Sequence, residues 1–360
     1  MSSPGSLQQQ RVSDVGERAL IERIRARVPP PPAALVISIG DDAAVAVPDR
    51  GALQVLTTDA LVEGIHFDRR FSSAVDIGYK ALAVNVSDVA SMGGTPRLAL
   101  LSLMLPPALP LSDIDGLLEG LLLMAGECGV ALAGGNITRS PGPLVIDVTA
   151  IGSVKPRKIL TRGGGRPGDA LYITGQIGAA AAGLEWLRTG AAEMDRLGSW
   201  RDSQSEGARV AAPDDAQMAE CVARHCRPVP RVRLGALLGR NRAASACMDL
   251  SDGLADAVTQ MAGAGGTGAT LDAAVVPVHP GAAAWFGAAG RDPLIAALAG
   301  GDDYELLFAV PRRSRGRLRS VIREARGVQV TWIGELTSGG AVALSRGTVS
   351  EPLPGGFTHF

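Results

Sequence analysis

Apolar residues recur at helical spacing in five segments of the chain, and short apolar or β-branched runs lie between these segments. The spacing predicts helices over Val15–Val28, Asp76–Met92, Asp113–Cys128, a stretch from about Ala179, and Gly253–Met261. The runs predict strands at Leu35–Ile39, Leu53–Thr57, Leu98–Leu105, Leu144–Val154, Leu171–Thr174, Ser245–Leu250, Tyr304–Val310 and Thr331–Ile333. Because helices and strands interleave in both halves of the chain, we expect a mixed α and β fold.

Local signals mark where some of these elements begin and end. Pro29 to Pro32 follow the first predicted helix, and proline cannot continue a helix because it lacks the amide donor. Ser72 or Ser73 is a suitable cap for the second helix. Arg162–Asp169 is rich in Gly, Pro and Arg, and this shift indicates a domain boundary near residues 153–160. We therefore predict an N-terminal helix and linker over 1–32, then domains over 33–155 and 156–360.

Residues 190–215 mix Gly, Ser, Pro and charges without a period, which predicts an exposed insertion in the second domain.

The length of 360 residues fits two domains, and the hydrophobic content of 46% excludes a disordered chain. The formal net charge of −1 gives no strong field toward nucleic acid or membranes. No Gly-Lys pair occurs, so a Walker A phosphate loop is excluded.

The four cysteines and the polar N-terminal segment predict a cytoplasmic protein with free thiols. Cys221, His225 and Cys226 lie close together in sequence, but a zinc site needs a second, distant pair of ligands. We therefore expect a helix that carries buried thiols at this position. We also find no serine with a histidine and an acid at a spacing typical of an acyl-transfer triad.

Aspartates stand beside apolar sequence at the ends of several predicted elements, rather than on solvated charged faces. They are Asp41, Asp42, Asp59, Asp88, Asp249, Asp252, Asp302 and Asp303. Several carboxylates that converge repel one another unless cations neutralise them, and hard oxygen ligands select Mg²⁺ or Ca²⁺. The alternative is that each aspartate forms a turn or caps a helix, and this alternative is strongest for Asp249 and Asp252. The recurrence after separate strands favours a metal site.

Glycine pairs at Gly93, Gly134 and Gly300 and the Gly163 to Gly165 run would let backbone amides approach anionic oxygens, although most such pairs are ordinary turns. Arg162, directly before three glycines, suits a phosphate beside an open loop, with a surface arginine as the alternative. His66 taken alone is more typical of a structural histidine.

The motifs together resemble thiamine-monophosphate kinase, within the aminoimidazole-ribonucleotide synthetase-like superfamily. The resemblance rests on Gly40–Ala43, Thr57–Phe67, Tyr79–Asp88, Gly134–Arg139, Leu160–Arg162, Asp249–Gly253 and Gly300–Leu306. It implies an α+β, two-domain fold in which the N-terminal sheets of two subunits join into a barrel across a homodimer, followed by a C-terminal α/β domain. It also implies ATP-dependent phosphorylation of thiamine monophosphate to thiamine diphosphate.

The resemblance also implies roles for individual residues. Several Mg²⁺ ions would be held by Asp42, Thr57, Thr58, Asp59, Asp88, Asn136, Asp249 and Asp252. ATP would contact Gly135, Arg162 and Ser251, and the thiamine substrate would contact His66, Asp302 and Phe357. The family has aspartate where this chain has Asn136, which keeps an oxygen ligand but loses a charge, so we expect a raised Mg²⁺ requirement.

The expected reaction needs no catalytic base among the side chains. Its nucleophile is a phosphate monoester, whose second pKa is about 6, so the attacking oxygen is already ionised at neutral pH. Two alternatives stay open: a related ATP-dependent synthetase of the same superfamily, and a nucleotide- or thiamine-phosphate-binding protein whose catalysis Asn136 has weakened.

Overall fold

The computed structural model describes residues 10–196 and 215–356, which divide into two compact units. The first unit contains the described residues up to Pro48 together with Thr58–Leu82 and Arg97–Ala150. The second contains Asp49–Thr57, Ala83–Pro96 and the described residues from Ile151 onward. The domain ranges expected from the sequence stay predictions. Of the expected insertion at 190–215, residues 197–214 lie outside the described residues.

Helices and strands interleave along the described chain, as the sequence predicts. The helices are α1 (Glu17–Arg25), α2 (Ala74–Ser91), α3 (Leu111–Cys128), α4 (Ala179–Arg196), α5 (Ala216–Cys226), α6 (Val232–Arg240), α7 (Leu254–Gly265), α8 (Pro280–Ala288), α9 (Pro293–Ala299) and α10 (Arg315–Ala325). The strands are β1 (Leu35–Ile37), β2 (Val45–Ala46), β3 (Leu53–Val62), β4 (Thr95–Leu105), β5 (Ala131–Arg139), β6 (Val145–Val154), β7 (Ala170–Thr174), β8 (Ala246–Asp249), β9 (Gly268–Asp272), β10 (Leu306–Val310), β11 (Val330–Thr337), β12 (Val342–Arg346) and β13 (Val349–Pro352).

Three sheets organise these strands. β1 and β2 form an antiparallel pair, and a four-stranded sheet has the order β3-β6-β4-β5, with β4 and β5 parallel. Because β3 and β5 lie at its two edges, this sheet does not close into a barrel within the part of the chain that the structure describes. A seven-stranded sheet has the order β13-β12-β9-β11-β7-β10-β8 and is antiparallel except where β12 meets β9.

The seven-stranded sheet has a hydrophobic core on both of its faces, and β10 shows this directly. All five of its residues are buried. Leu307 and Ala309 belong to one buried cluster, whereas Leu306, Phe308 and Val310 belong to another. Because successive side chains of a strand point to opposite faces, these clusters lie on opposite sides of the sheet. The continuous apolar run in the sequence reflects this double burial.

Start signals in the sequence are confirmed at α2. The backbone N–H of Asp76 donates to Ser73 Oγ at 3.0 Å, and that hydroxyl donates to Asp76 Oδ2 at 2.5 Å. Ser73 is therefore the cap, and Ser72 is a buried residue beside it. The helix then presents its last turn, which contains Ser87 and Asp88, to the candidate site described below.

The strands β3 and β5 are among those that differ from the sequence analysis. β3 continues five residues beyond Thr57, since the polar run Thr57 to Asp59 lies on a partly exposed strand where polar side chains are tolerated. β5 was not predicted, because the pair Gly134–Gly135 is typical of a turn. The structure instead places both glycines inside the strand, and a Cβ on Gly135 would lie 1.8 Å from the carbonyl oxygen of Leu101. Gly135 therefore allows a close approach of β5 to β4 rather than a turn.

The predicted helix around Cys221 is confirmed as α5. Cys221 is fully buried, and burial raises the pKa of its thiol to about 12. None of the four cysteines, all of which lie in the described residues, forms a disulfide. Among the described residues, no helix is both long enough and apolar enough to span a membrane.

Candidate active site

The last turn of α2 joins two other elements of the second unit. The hydroxyl of Thr57 on β3 donates to Asp88 Oδ2 at 2.5 Å. The neighbouring Ser87 Oγ donates to Asp249 Oδ2 at 2.6 Å, at the end of β8. These two bonds connect the end of α2 to β3 through Thr57 and to β8 through Asp249. All their donor atoms are oxygens.

The charge state of Asp88 depends on its surroundings. Burial raises the pKa of Asp88 above its usual value, while the Thr57 hydroxyl and the positive charge of Arg162 act in the opposite direction. A carboxylate whose ionised form is poorly solvated gains most from a nearby cation. Asp88 is therefore suited to ligating a cation at this position.

The glycines that follow Arg162 do not form an open loop, and the contact of Arg162 with ATP stays a prediction. Arg162 begins a short 3₁₀ turn, and its Nη1 donates to Gln260 Oε1 at 2.6 Å. The glycines after it pack closely against other backbone: a Cβ on Gly164 would lie 1.9 Å from the carbonyl oxygen of Ser245. The glycine run thus serves close packing, while the exposed Arg162 side chain stays near enough to Asp88 to influence its pKa.

The segment after β8 carries Ser251 and Asp252. Ser251 Oγ donates to Asp252 Oδ2 at 3.1 Å. The alternative role of a helix cap does not hold for Asp252, since Gly253 with φ +100° holds the N-cap position of α7 and no side chain caps it. A Cβ on Gly253 would lie 2.9 Å from the carbonyl oxygens of Leu298 and Gly300, so no larger residue fits. The carboxylate of Asp252 is therefore not used as a cap for α7.

The segment Gly300 to Glu305 packs directly against the segment after β8. The N–H of Asp302 donates to Ser251 O at 2.7 Å, and the N–H of Tyr304 donates to Leu250 O at 2.9 Å. Asp302 and Tyr304 both have positive φ, +69° and +48°, which non-glycine residues rarely adopt. Asp302 Oδ2 lies 3.4 Å from Nδ1 of His225, a buried residue of α5. The structure therefore brings Asp302 beside the Ser251 backbone.

Two further carboxylates hold this strained turn in place. Asp303 accepts the N–H groups of Gly178, at 2.8 Å, and Ala180, at 3.4 Å, at the start of α4. Burial raises the pKa of Asp303 to about 8, and the charges of Glu305 and Asp302 add to this effect. Glu305, which is 1% exposed, pairs with both Nε and Nη2 of Arg231.

Sequence reasoning missed three residues of this network: His225, Arg231 and Glu305. The sequence analysis considered His225 only as a zinc ligand. The role of Arg231 depends on its contact with the buried Glu305, which the sequence does not show. No local pattern predicts such a pairing, because the two residues are 74 positions apart.

The remaining predicted residues lie in the first unit. Thr58 Oγ1 donates to Asp147 Oδ1 at 2.8 Å and lies 3.2 Å from Thr149 Oγ1, both on β6. Asp147 is a carboxylate that the sequence analysis did not single out. Asp59 is half-buried on β3, and Asp42 is exposed after Gly40, with its N–H bound to Asp41 Oδ1 at 2.8 Å.

Gly135 and Asn136 are consecutive exposed residues of β5, where they pair with Leu101 and Ser102 of β4. His66 follows β3 in a turn, and its Nδ1 accepts the N–H of Val62 at 3.1 Å. A neutral His66 therefore carries its ring proton on Nε2. Phe357 lies outside the described residues.

Across residues 10–196 and 215–356, no three His, Cys, Asp or Glu side chains form a group that could hold a metal ion. The set of Mg²⁺ ligands implied by the resemblance, Asn136 among them, stays a prediction.

Comparison with known proteins supplies the family. Two family models match the chain: AIR synthase related protein, N-terminal domain, over residues 40–154, and AIR synthase related protein, C-terminal domain, over 166–346. The thiamine-monophosphate kinase of Synechococcus elongatus is 34% identical over 97% of this chain and 98% of that protein. The corresponding enzyme of Escherichia coli K12 is 36% identical over 90% and 91%. This chain belongs to the thiamine-monophosphate kinase family.

Solved structures of the thiamine-monophosphate kinase family agree with this placement. The enzyme from Stenotrophomonas maltophilia K279a matches with a TM-score of 0.74 and 35% identity, covering 90% of this chain and 95% of that one. AaThiL complexed with AMPPCP and TMP matches with a TM-score of 0.70 and 29% identity, covering 99% of this chain and all of that one. The hydrogenase maturation protein HypE, at 20% identity and a TM-score of 0.63, shares the fold.

Proposed function

We infer that this chain transfers the γ-phosphoryl group of ATP to the phosphate of thiamine monophosphate, giving thiamine diphosphate and ADP. The observation that carries this inference is the near full-length match to thiamine-monophosphate kinases, together with the similarity to a relative solved with AMPPCP and TMP. The chain is accordingly a phosphotransferase whose acceptor is a phosphate group.

The proposed phosphoryl transfer does not need a side chain to act as a general base. The acceptor is a phosphate monoester with a second pKa of about 6, so its attacking oxygen is ionised at neutral pH. The obstacle is repulsion between two polyanions, and catalysis consists of positioning the phosphates in line and offsetting their charge. In this proposal Arg162 binds ATP by its guanidinium, since the exposed side chain presents a planar fork of donors to phosphate oxygens.

The residues expected to hold Mg²⁺ fit that ion. Thr57, Asp88 and Asp249 offer only oxygen atoms, and the raised pKa of Asp88 is a destabilisation that a cation removes. When bound, Mg²⁺ neutralises phosphate charge and orients the reacting groups. We propose the ligands to be Asp42, Thr57, Thr58, Asp59, Asp88, Asn136, Asp249 and Asp252.

The other proposed contacts follow the same motif positions. Gly135, Arg162 and Ser251 would bind ATP, and His66, Asp302 and Phe357 would bind the thiamine part of the acceptor. The strained turn between Gly301 and Glu305 gives Asp302 a fixed position, since Asp303 and Glu305 are both held by other elements. A fixed carboxylate is able to distinguish a cationic thiamine ring from neutral analogues.

We propose a homodimer in which the N-terminal sheets of two subunits complete a barrel. Apolar side chains of β1, β2 and the segments beside them are exposed, including Val36 at 62%, Val45 at 47% and Val47 at 59%. Exposed apolar patches of this kind mark surfaces that a partner covers. A cytoplasmic location is likewise a proposal, based on the free cysteine thiols.

The direct test incubates the purified chain with ATP, Mg²⁺ and thiamine monophosphate and separates the products by chromatography. We expect thiamine diphosphate and ADP in equal amounts. Release of ADP without thiamine diphosphate would overturn the proposal. Asp88→Asn should lower kcat on the order of a hundredfold, whereas Asp272→Asn, at a half-buried site on β9, is the control and should retain activity.

A further inference from the structure

A basic cavity lies in the second unit, and none of its lining residues is assigned above to ATP, thiamine monophosphate or Mg²⁺. It has a volume of about 580 Å³. Its lining consists of five cationic side chains and one proline: Lys155, Pro156, Arg157, Lys158, Arg240 and Arg242. We call this feature the basic cavity.

The basic cavity and the candidate active site lie at opposite ends of β8. Arg240 and Arg242 precede this strand, whereas Asp249 ends it and Ser251 follows it. Four strand residues at about 3.3 Å each separate the two ends by roughly 13 Å. The residues that line the basic cavity are therefore separate from Asp249 and Ser251 at the other end of the strand.

The positive charges of the basic cavity are largely uncompensated within the protein. Among the described residues, only Arg240 has a carboxylate within 4 Å, that of Glu324 at 2.5 Å. The Lys155 ammonium donates to the carbonyl oxygen of Arg50, which carries no net charge. Cations gathered around one space repel one another, and an anion placed between them removes this repulsion.

Ordinary surface composition does not account for this cluster. The chain has a formal net charge of −1 and only three lysines, and two of the three line this cavity. The C-terminal end of α6 attracts cations through the helix dipole, which accounts for Arg240 and Arg242. It does not account for Lys155, Arg157 and Lys158, which belong to the segment that follows β6.

The backbone at Arg242 is held in one conformation. This residue has φ +50°, and its carbonyl oxygen accepts bonds from Ser314 Oγ at 3.5 Å and Arg317 Nη1 at 3.3 Å. Its own N–H donates to Gly239 O at 3.1 Å. A cation on a fixed backbone loses less conformational freedom when it binds an anion, so the cavity is partly preorganised.

We propose that the basic cavity binds a small anion that carries two or more phosphate groups. Five cations around one space favour an anion that carries more than one negative charge. The arginines supply forked donors for phosphate oxygens, and the lysines supply point charges. The shared chemistry is a pyrophosphate group, either free or as part of a nucleotide.

The test measures binding of inorganic pyrophosphate to the full chain by calorimetry, with β,γ-methylene ATP and excess Mg²⁺ present to occupy the nucleotide site. We expect binding that Arg157→Gln/Lys158→Gln weakens about tenfold or more, because two charge-assisted contacts are lost. A parallel titration with ADP distinguishes free pyrophosphate from a pyrophosphate group that is part of a nucleotide. Tighter binding of ADP, weakened by the same double variant, supports the proposal and assigns the anion to a nucleotide.

The matched control is Arg319→Gln/Arg323→Gln, which removes the same charge from two exposed arginines of α10 that line a neighbouring cavity. Equal losses in both double variants would mean diffuse attraction to a basic surface and would overturn the proposal. No binding to the wild-type chain would also overturn it. So would preferential binding of a single-stranded oligonucleotide that both double variants lose equally.

A second measurement uses the wild-type chain and needs no variant to fold. Pyrophosphate should slow hydrogen exchange in residues 155–158 and 238–244, and protection confined to residues 249–253 would contradict the proposal. Turnover of thiamine monophosphate should be unchanged in both double variants. If the chain does not phosphorylate thiamine monophosphate, the proposed function fails, and the pyrophosphate measurements still decide whether the basic cavity is a site.

Discussion

Asp88 and Asp303 are two aspartates whose carboxyl groups burial makes harder to ionise, but their partners give them different tasks. Asp303 binds two backbone N–H groups at the start of α4 and so holds the strained turn that presents Asp302. Asp88 accepts a hydroxyl and lies within the influence of the Arg162 charge. At the scale of single residues, one carboxylate stabilises the fold and the other is suited to a ligand.

The resemblance to the family implies an aspartate at the position of the exposed Asn136 on β5. Asn136→Asp restores a negative charge to the proposed ligand set, so we expect half-maximal turnover at a lower Mg²⁺ concentration. The measurement is initial rate against Mg²⁺ at saturating ATP and thiamine monophosphate. Gln329→Glu, an exposed change with the same charge difference, is the control and should leave the Mg²⁺ dependence unchanged. An unaltered Mg²⁺ dependence in Asn136→Asp would contradict the assignment of this residue.

Asp303 predicts a pH dependence of stability. Burial raises the pKa of Asp303 to about 8, against about 3.9 in an unfolded chain, so the folded state holds an extra proton between these values. The free energy of unfolding should therefore fall as pH rises from about 4 to about 8. Asp303→Asn, which stays neutral, should reduce this fall in urea unfolding at pH 5 and pH 8.

The control for this prediction is Asp215→Asn, because Asp215 is an exposed carboxylate that accepts the N–H of Gln217 at the start of α5. It should retain the wild-type slope of stability against pH. A slope that persists unchanged in Asp303→Asn would show that other groups cause it.

The sequence pointed to some of these aspartates as site residues but did not reveal the different role of Asp303. Motif positions pointed to Asp88, Asp249 and Asp302, because each aspartate stands near apolar sequence at the end of a predicted element. Nothing local distinguished Asp303 from Asp302, since the two are adjacent and chemically identical. The roles of Asp302 and Asp303 differ because their backbone φ angles differ and because each faces a different helix. The amino-acid sequence alone predicts neither property.

At the scale of elements, close contact between α2 and α3 depends on glycine. A Cβ on Gly120 of α3 would lie 1.8 Å from the carbonyl oxygen of Val75, whereas a Cβ on Gly126 of the same helix meets nothing within 4 Å. Glycine in a helix costs about 1 kcal/mol relative to alanine when nothing else depends on it. Glycine is therefore needed at Gly120 for close packing, whereas at Gly126 it only lowers the stability of the helix.

This pair gives a matched prediction. Gly126→Ala should raise the free energy of unfolding by about 0.5–1 kcal/mol. Gly120→Ala should lower it by about 1–3 kcal/mol, because the helices must separate to admit the methyl group. Urea unfolding of both variants measures the two effects, and a change of the same sign in both would refute the close approach of α2 to α3.

Elements with strong periodicity were predicted well, and α2, α3, β4 and β6 lie within a few residues of their expected bounds. β5 was missed for a physical reason. Glycine is common in turns because it adopts unusual backbone angles, but here it serves close approach between extended strands. The sequence does not distinguish these two uses of glycine.

At the scale of the whole molecule, the proposed dimer is testable through two valines of equal exposure. Val36 on β1 is 62% exposed and Val349 on β13 is 61% exposed. Val36→Asp should shift the sedimentation coefficient toward that of a monomer, since a charge would be buried in the shared barrel. Val349→Asp is the control and should leave it unchanged. A wild-type chain that sediments as a monomer would contradict the dimer.

The amino-acid sequence by itself determined the mixed α and β content, the family and the order of the acidic motifs, because these depend on local periodicity and on residues close together in the chain. Only the tertiary structure decided that Ser87 reaches Asp249, that Arg231 neutralises Glu305, and that five cations line one cavity. These pairings join residues 74 to 162 positions apart. Backbone direction and packing bring such residues together, and the local sequence pattern predicts neither of them.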